Sequence, residues 1–504
     1  MSHPETSPAA RYYREVLKGR DPETFAKLAR IKRFMERLCG DLQFRLDLAA
    51  HPYDPQVVID PLGLDLDAEA LRPLYDLRYA KHRRKLDELE PWPLAKLWDE
   101  WLADMIGHRD VIAATGKDLE TNPAYSSWRA RQMRRVKSEI GRASDGIVHA
   151  SMAVELSEGC TVGCWFCGIS ADRFKGYLPY TPENAALWRD VLGAYRDVFG
   201  QASQSGFCYW ATDPSDNPDY PRYLRDFHDI IGHLPQTTTA AALKNLDLTR
   251  EILAMEREMG SVVNRFSVLT KKQLDQIHAA FTPDELMMVE LVQQQKESLN
   301  GISDTGRAHE RKVRLEEAGK IAELARENFQ IGTIACVSGL LVQMVPKRVQ
   351  LVTPTRMSAR WPKGYRVVAE ADFTDAATFR AAIEGFRDHH MRQQIYAHDR
   401  VAIRWDIEPA IEGDQLVFRN EMTTQSLDLV DGLREIAPEV VEGRHTFGEL
   451  LQTAIQRGAN PFEAQAALRM LFDNGLLDEE ALAPAGATGP APTSSVAMAS
   501  AAAE

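Results

Sequence analysis

The 504-residue chain has no run of eighteen or more apolar residues, so no segment reads as a membrane-spanning helix. Its opening, MSHPETSPAARYYREVLKGRD, has no apolar stretch of the secretory kind, and the expectation is a cytoplasmic protein. Cysteine is scarce: six in the whole chain are too few for a disulfide framework. Excess positive charge is missing as well. The formal net charge is −13, which argues against nucleic acid as the main partner, because phosphate binding needs a basic surface. A local exception, WRARQMRRVKSEIGR over 128–142, carries six Arg and Lys and reads as a helix with a solvated basic face.

What is present is a globular composition, 44% hydrophobic and 26% charged, in a chain long enough for two to four domains. Residues 1–147 read as an N-terminal helical domain. Phe25, Leu28, Phe34, Met35 and Leu38 fall mostly along one helical stripe, Asp21-Pro22 suits a helix start, and Cys39 reads as a packed thiol. Over 148–365 short β-rich runs alternate with helical stretches. The candidate strands are 152–156, 206–211, 237–241, 262–269, 331–337 and 347–352, and their alternation with helices implies parallel βα units making a partial (βα)6 barrel. Residues 366–481 read as a hairpin followed by short helices, a C-terminal winged-helix-like α+β module, and the Ala, Pro, Gly and Ser tail at 482–504 as disordered.

Three of the six cysteines, Cys160, Cys164 and Cys167, lie in SEGCTVGCWFCGIS just after the first candidate strand. Thiolates so spaced on a tight, glycine-containing loop can converge on one centre. A structural zinc site wants four protein ligands, and no histidine or second cysteine pair stands nearby; an iron-sulfur cube held by three thiolates keeps one iron open.

CTVGCWFC, with Phe166 before the last cysteine, resembles the signature of the radical S-adenosylmethionine (SAM) enzymes. The resemblance implies one 4Fe-4S cluster on Cys160, Cys164 and Cys167, SAM bound at its open iron, and Phe166 packed near the adenine. It also implies a partner for the SAM amino group, where YWATDPSDNPDY offers Asp213 in place of the usual glutamate. Ser267 fits a ribose contact and Arg265 a carboxylate contact, both on the fourth candidate strand. Only Cys208 and Cys336 remain downstream, too few for a second cluster.

The substrate radical in such chemistry can be quenched by a thiol. Cys208 lies inside a candidate strand, whereas Cys336 falls near the C-terminal end of the fifth, the end that carries chemistry in βα barrels. Over most of residues 20–370 the chain is similar to the radical SAM amino-acid epimerases that mature ribosomally made peptides. The stretches that carry this are FAKLARIKRFMERLCGD, ELSEGCTVGCWFCG, YWATDPSDNPDY, GRAHERKVRLEEAGK, TIACVSGLLVQMVPKRVQLVTPT and RWPKGYRV. That family implies conversion of L- to D-residues in a precursor peptide, with Cys336 returning the hydrogen. It also implies leader binding on the C-terminal module, at VAIRWDI or LVFRNEM, and an electron donor of the flavodoxin or ferredoxin kind. Two alternatives stay open from the residues: a radical SAM enzyme forming carbon-carbon or thioether crosslinks, and a non-catalytic peptide-binding scaffold in which the cysteines hold a structural metal.

Overall fold

Asp21 opens the first long helix, Pro22–Gly40: its carboxylate accepts the Thr24 N–H, and Pro22 occupies the first turn, where a missing donor costs nothing. The helix buries Leu28, Ile31, Phe34 and Leu38. That stripe packs with Trp98 and Trp101 of the helix Pro93–Thr115, and also with Val263, Met287 and Met288 from much later in the chain. The computed structural model describes residues 7–325, 327–480 and 482. It divides into two units at Met391/Arg392, so the N-terminal helices share one unit with the strands that follow.

The basic stretch at 128–142 departs from expectation. The helix Pro123–Ile140 buries Arg129, Arg131, Arg135 and Glu139. The Arg129 guanidinium donates to the carbonyls of Ala113, Val148 and His149, so the buried cations serve as internal hydrogen-bond donors, while Arg134, Lys137 and Arg142 keep an exposed basic face.

The first unit is mixed α/β with several small sheets. The strand Ala150–Glu155 runs parallel to the extended backbone at Phe207, through a single bridge. After that bridge the expected strand at 206–211 stops, because the Ala211 N–H donates to the Glu155 carboxylate and not to a neighbouring strand. Thr238–Thr239, Asn264–Val268 and Val289–Gln293 form a parallel three-stranded sheet, with the helices Leu246–Met259 and Lys271–Ala280 as crossovers. The expected strand at 237–241 is cut to two residues: the Ala240 N–H turns to Asp213 and that of Ala241 to the Thr239 hydroxyl. Val289–Gln293 has no counterpart among the candidate strands.

The last two candidates are corrected. Of 331–337 only Val337 is in a strand, as the first residue of Val337–Gln343, which runs parallel to Ala150–Glu155. Arg348–Pro354 is antiparallel to it, not a sixth parallel strand, since the connection over 344–347 is far too short for a crossover helix. Tyr365–Asp372 extends this meander, giving a four-stranded sheet. Its pairing holds that strand, and the helix Ala376–His390, in the first unit; the division therefore falls at 391/392 and not at 366.

In the second unit a three-stranded antiparallel sheet, Glu408–Glu412, Gln415–Arg419 and Thr424–Asp428, precedes the helices Leu433–Glu442, Phe447–Gln456 and Pro461–Asp473. They close on one core that includes Leu416, Phe418, Leu450 and Leu468. The expected tail at 482–504 lies outside the described residues apart from Leu482. Among the described residues no helix is long and apolar enough to cross a membrane.

One buried acid gives the first unit a pH dependence. Glu256 is 2% exposed on the helix Leu246–Met259, and its Oε1 has no hydrogen-bond partner. Burial pushes its carboxyl up to about 8, above its unfolded value of 4.5. Its folded pKa is the raised one, so its contribution is intact below pH 4.5 and is lost as pH rises toward 8. Glu256→Gln is expected to stabilise the protein by about 2–3 kcal/mol at pH 7 and by nearly nothing at pH 4.5, read from urea midpoints at the two pH values.

Candidate functional site

The cysteine loop leaves the C-terminal end of Ala150–Glu155 and is tied down at both ends. Cys160 donates its N–H to the Asp172 carbonyl at 2.9 Å and bridges to Arg173. Gly159 makes this closure possible: at φ +73° a Cβ there would stand 2.2 Å from the Arg173 carbonyl oxygen. Thr161 is held by the buried Asp216, which accepts from its N–H at 2.9 Å, from its hydroxyl at 2.6 Å, and from Lys244 at 2.7 Å. From the other side the helix Gly306–Glu317 straps the loop. The Arg307 N–H donates to the Cys167 carbonyl at 3.0 Å, and its guanidinium to the carbonyls of Cys164 and Ala171.

Backbone donors also point at sulfur: Val162 N–H to Cys160 Sγ and Ala171 N–H to Cys167 Sγ, each at 3.4 Å. Burial pushes the Cys160 thiol up to about 11 and the Cys164 thiol up to about 12, the latter helped by Cys167 and Cys160 beside it. Among the described residues no three His, Cys, Asp or Glu side chains are gathered tightly enough to hold an ion. The match to a cluster is one of donor type: three soft thiols on one loop, with N–H groups aimed at two of the sulfurs.

The expected cofactor contacts fare differently from one another. Asp213 is buried and already engaged; Oδ1 accepts from Ser215 N–H and Thr239 Oγ1, and Oδ2 from Ala240 N–H. It fastens its loop to the strand Thr238–Thr239. Phe166 stands edge-on to Trp165 at 5.4 Å, on the cysteine loop. Arg265 and Ser267 share one face of Asn264–Val268, opposite the buried Asn264, Phe266 and Val268.

The two candidate donor thiols are separated by their surroundings. Cys208 is 2% exposed in the apolar core with Tyr195, Tyr220 and Phe227, and burial holds its thiol well above the ordinary range. Cys336 instead lines a cavity of about 120 Å³ with Phe207, Tyr209, Arg265, Glu290 and His108. The end-of-strand argument for Cys336 does not hold. It precedes Val337–Gln343, and its carbonyl accepts the Ala150 N–H at 2.9 Å, which puts it at the start of the parallel pair. What distinguishes it is the cavity. Burial pushes its thiol up to about 11, against the lowering effect of Arg265, so it stays protonated at neutral pH. Glu290 belongs to the strand that the sequence reading omitted. The short apolar run MMVELV was the available signal, masked by helix-forming neighbours on both sides.

Fold and site together define a mixed α/β protein with a strapped three-cysteine loop and a separate thiol on a cavity wall. No known family profile matches the chain. It is 41% identical over 469 residues to the uncharacterized protein y4wI of Sinorhizobium fredii, covering 93% of this chain and 91% of that protein. The chain belongs to the family of that protein.

Proposed function

We propose that the chain is a radical SAM peptide epimerase that converts L- to D-residues in a ribosomally made precursor. In this reading the parallel strands of the first unit are the core of a partial radical SAM barrel, and the unit from Arg392 on is a winged-helix-like leader-binding module in a cytoplasmic enzyme. The observation that carries it is the pairing of two thiol sites around one apolar cluster. Cys167 and Cys336 both pack against the group that includes Ala150, Ala153, Phe207, Trp210 and Val337. The loop leaves one end of Ala150–Glu155 and Cys336 adjoins the other, about 17–20 Å of strand away.

Cys160, Cys164 and Cys167 would hold the 4Fe-4S cluster, which with SAM supplies a hydrogen-abstracting 5′-deoxyadenosyl radical. Cys336, kept protonated, supplies the returning hydrogen: its S–H bond breaks as the new Cα–H bond forms on the opposite face of the residue. The sulfur radical left behind takes one electron from a flavodoxin- or ferredoxin-like donor and one proton. Phe207 and Tyr209 line that part of the cavity.

The leader reading shifts within the second unit. LVFRNEM begins within the central strand Gln415–Arg419, paired on both sides, and VAIRWDI is not a strand, so neither can take an added strand. The edges are Glu408–Glu412, which Pro409 deprives of a donor, and Thr424–Asp428, which we assign to the leader.

Anaerobic reconstitution of the full chain with iron and sulfide tests the class. The expected result is about four irons per chain and 5′-deoxyadenosine on addition of SAM and reductant. Stoichiometric zinc without SAM cleavage would instead favour a metal-stabilised scaffold.

A further inference from the structure

The cavity beside Cys336 holds an ion pair whose geometry leaves it incomplete. Arg265 and Glu290 face each other in the parallel register of their strands, and their side chains are 43% and 51% exposed. That exposure is toward the cavity both residues line, within a sheet flanked by helices. They share one hydrogen bond, Arg265 Nε to Glu290 Oε2 at 2.7 Å, where a carboxylate and a guanidinium can share two. Among the described residues no other group bonds either side chain, so the guanidinium's terminal nitrogens are available as donors and Glu290 Oε1 as an acceptor.

Donors and an acceptor side by side, with no net charge, form a selective surface. An anion meets the Glu290 carboxylate and a cation meets the Arg265 guanidinium, so a charged ligand is penalised on either count. A neutral group with one donor and one acceptor satisfies both. Other polar side chains of the lining have partners of their own: Arg109 pairs with Asp110 at 2.9 Å, His108 Nε2 bonds the Ser261 carbonyl, His233 Nδ1 bonds the Ser7 hydroxyl, and the Tyr209 hydroxyl donates to Gln236 Oε1 at 2.7 Å, with Gln236 Nε2 spent on the Val263 carbonyl at 2.7 Å. The Tyr209 ring, 4.5 Å from that of Phe207, leaves an aromatic surface beside the pair.

We propose that Arg265 and Glu290 are substrate-positioning residues that bind a peptide amide, Glu290 accepting a backbone N–H and Arg265 donating to a backbone carbonyl, beside the Cys336 thiol. This rests on the reading of the substrate as a peptide, and it moves Arg265 from the cofactor carboxylate to the substrate backbone. Side chains facing Phe207 and Tyr209 would be neutral and of modest size.

The probe is Ac-Ala-Val-Ala-Val-Ala-NH2 and its series of single amide-to-ester analogues, bound to the full-length wild-type chain by calorimetry, without cluster reconstitution. One ester analogue is expected to bind about tenfold more weakly than the parent, because it loses an N–H that meets a charged acceptor. The parent peptide should slow iodoacetamide alkylation of Cys336, read by peptide mass spectrometry. Glu290→Gln, nearly isosteric, is expected to weaken the parent about tenfold and to shrink the ester penalty. No peptide binding, equal affinity across the ester series, no protection of Cys336, or an unchanged affinity in Glu290→Gln would overturn the proposal. The ester series uses only the wild-type chain, so a misfolded variant cannot decide the matter. Because the readout is binding alone, these outcomes are independent of the reconstitution that tests the reaction class.

Discussion

Cys336→Ala is expected to abolish D-residue formation while 5′-deoxyadenosine production persists. Cys208 and Cys336 are both enclosed thiols, but Cys208 is surrounded by core side chains whereas Cys336 opens on the cavity that holds Arg265 and Glu290. A hydrogen-atom donor must carry its hydrogen, and a thiol pushed up to about 11 does so throughout the neutral range. Cys336→Ser keeps the size and should fail equally, because the stronger O–H bond does not yield a hydrogen atom to a carbon radical. Loss of one sulfur at a cavity wall leaves the packing nearly unchanged, and unfolding midpoints of both variants are expected within about 1 kcal/mol of wild type. Cys208→Ala should keep the stereochemical outcome. If Cys336→Ala makes D-residues at the wild-type rate, the thiol has no part in the reaction.

Glu139→Ala is expected to cost about 3–5 kcal/mol of stability. Glu139 is 3% exposed at the end of the helix Pro123–Ile140. Its carboxylate accepts from Arg135 at 2.7 Å, Arg366 at 2.7 Å, the Thr355 hydroxyl at 2.8 Å and the Arg356 N–H at 3.1 Å. It thereby joins that helix to the turn between the strands Arg348–Pro354 and Tyr365–Asp372. Truncation removes the carboxylate shared by two guanidinium groups, one of them, Arg135, only 4% exposed. The exposed pair Arg380–Asp197, 39% and 45% accessible, gives the contrast: its removal should shift the midpoint by about 0.5 kcal/mol or less. A Glu139→Ala variant within about 1 kcal/mol of wild type would show that the network is redundant.

The parts legible in the sequence were those governed by local rules. Asp21-Pro22 fixed a helix start because a cap needs only a side-chain oxygen and a proline without a donor. The alternating Asn264–Val268 segment announced a strand with Arg265 and Ser267 on one face. What the sequence concealed depended on partners distant along the chain. Glu155 takes the Ala211 N–H and Asp213 takes that of Ala240, so two strands end earlier than their composition suggests. The meander through Arg348–Pro354 was read as a further parallel unit because a β-rich run does not state its direction. The basic helix looked solvated because its carbonyl partners, at Ala113, Val148 and His149, lie outside the stretch. At the site, the three loop cysteines were plain from spacing. Their supports were not, since Asp216, Lys244 and Arg307 come from three separate segments.

Turnover in deuterated water separates hydrogen return from a thiol from crosslink formation. The reconstituted full-length chain, given SAM, reductant and its precursor peptide in D2O, is expected to add one deuterium at the Cα of each inverted residue, because the Cys336 S–H exchanges with solvent. The product then weighs one mass unit more per inversion and contains the D-residue on chiral analysis. A product lighter by two hydrogens with a new crosslink, or a D-residue without deuterium, would contradict the account.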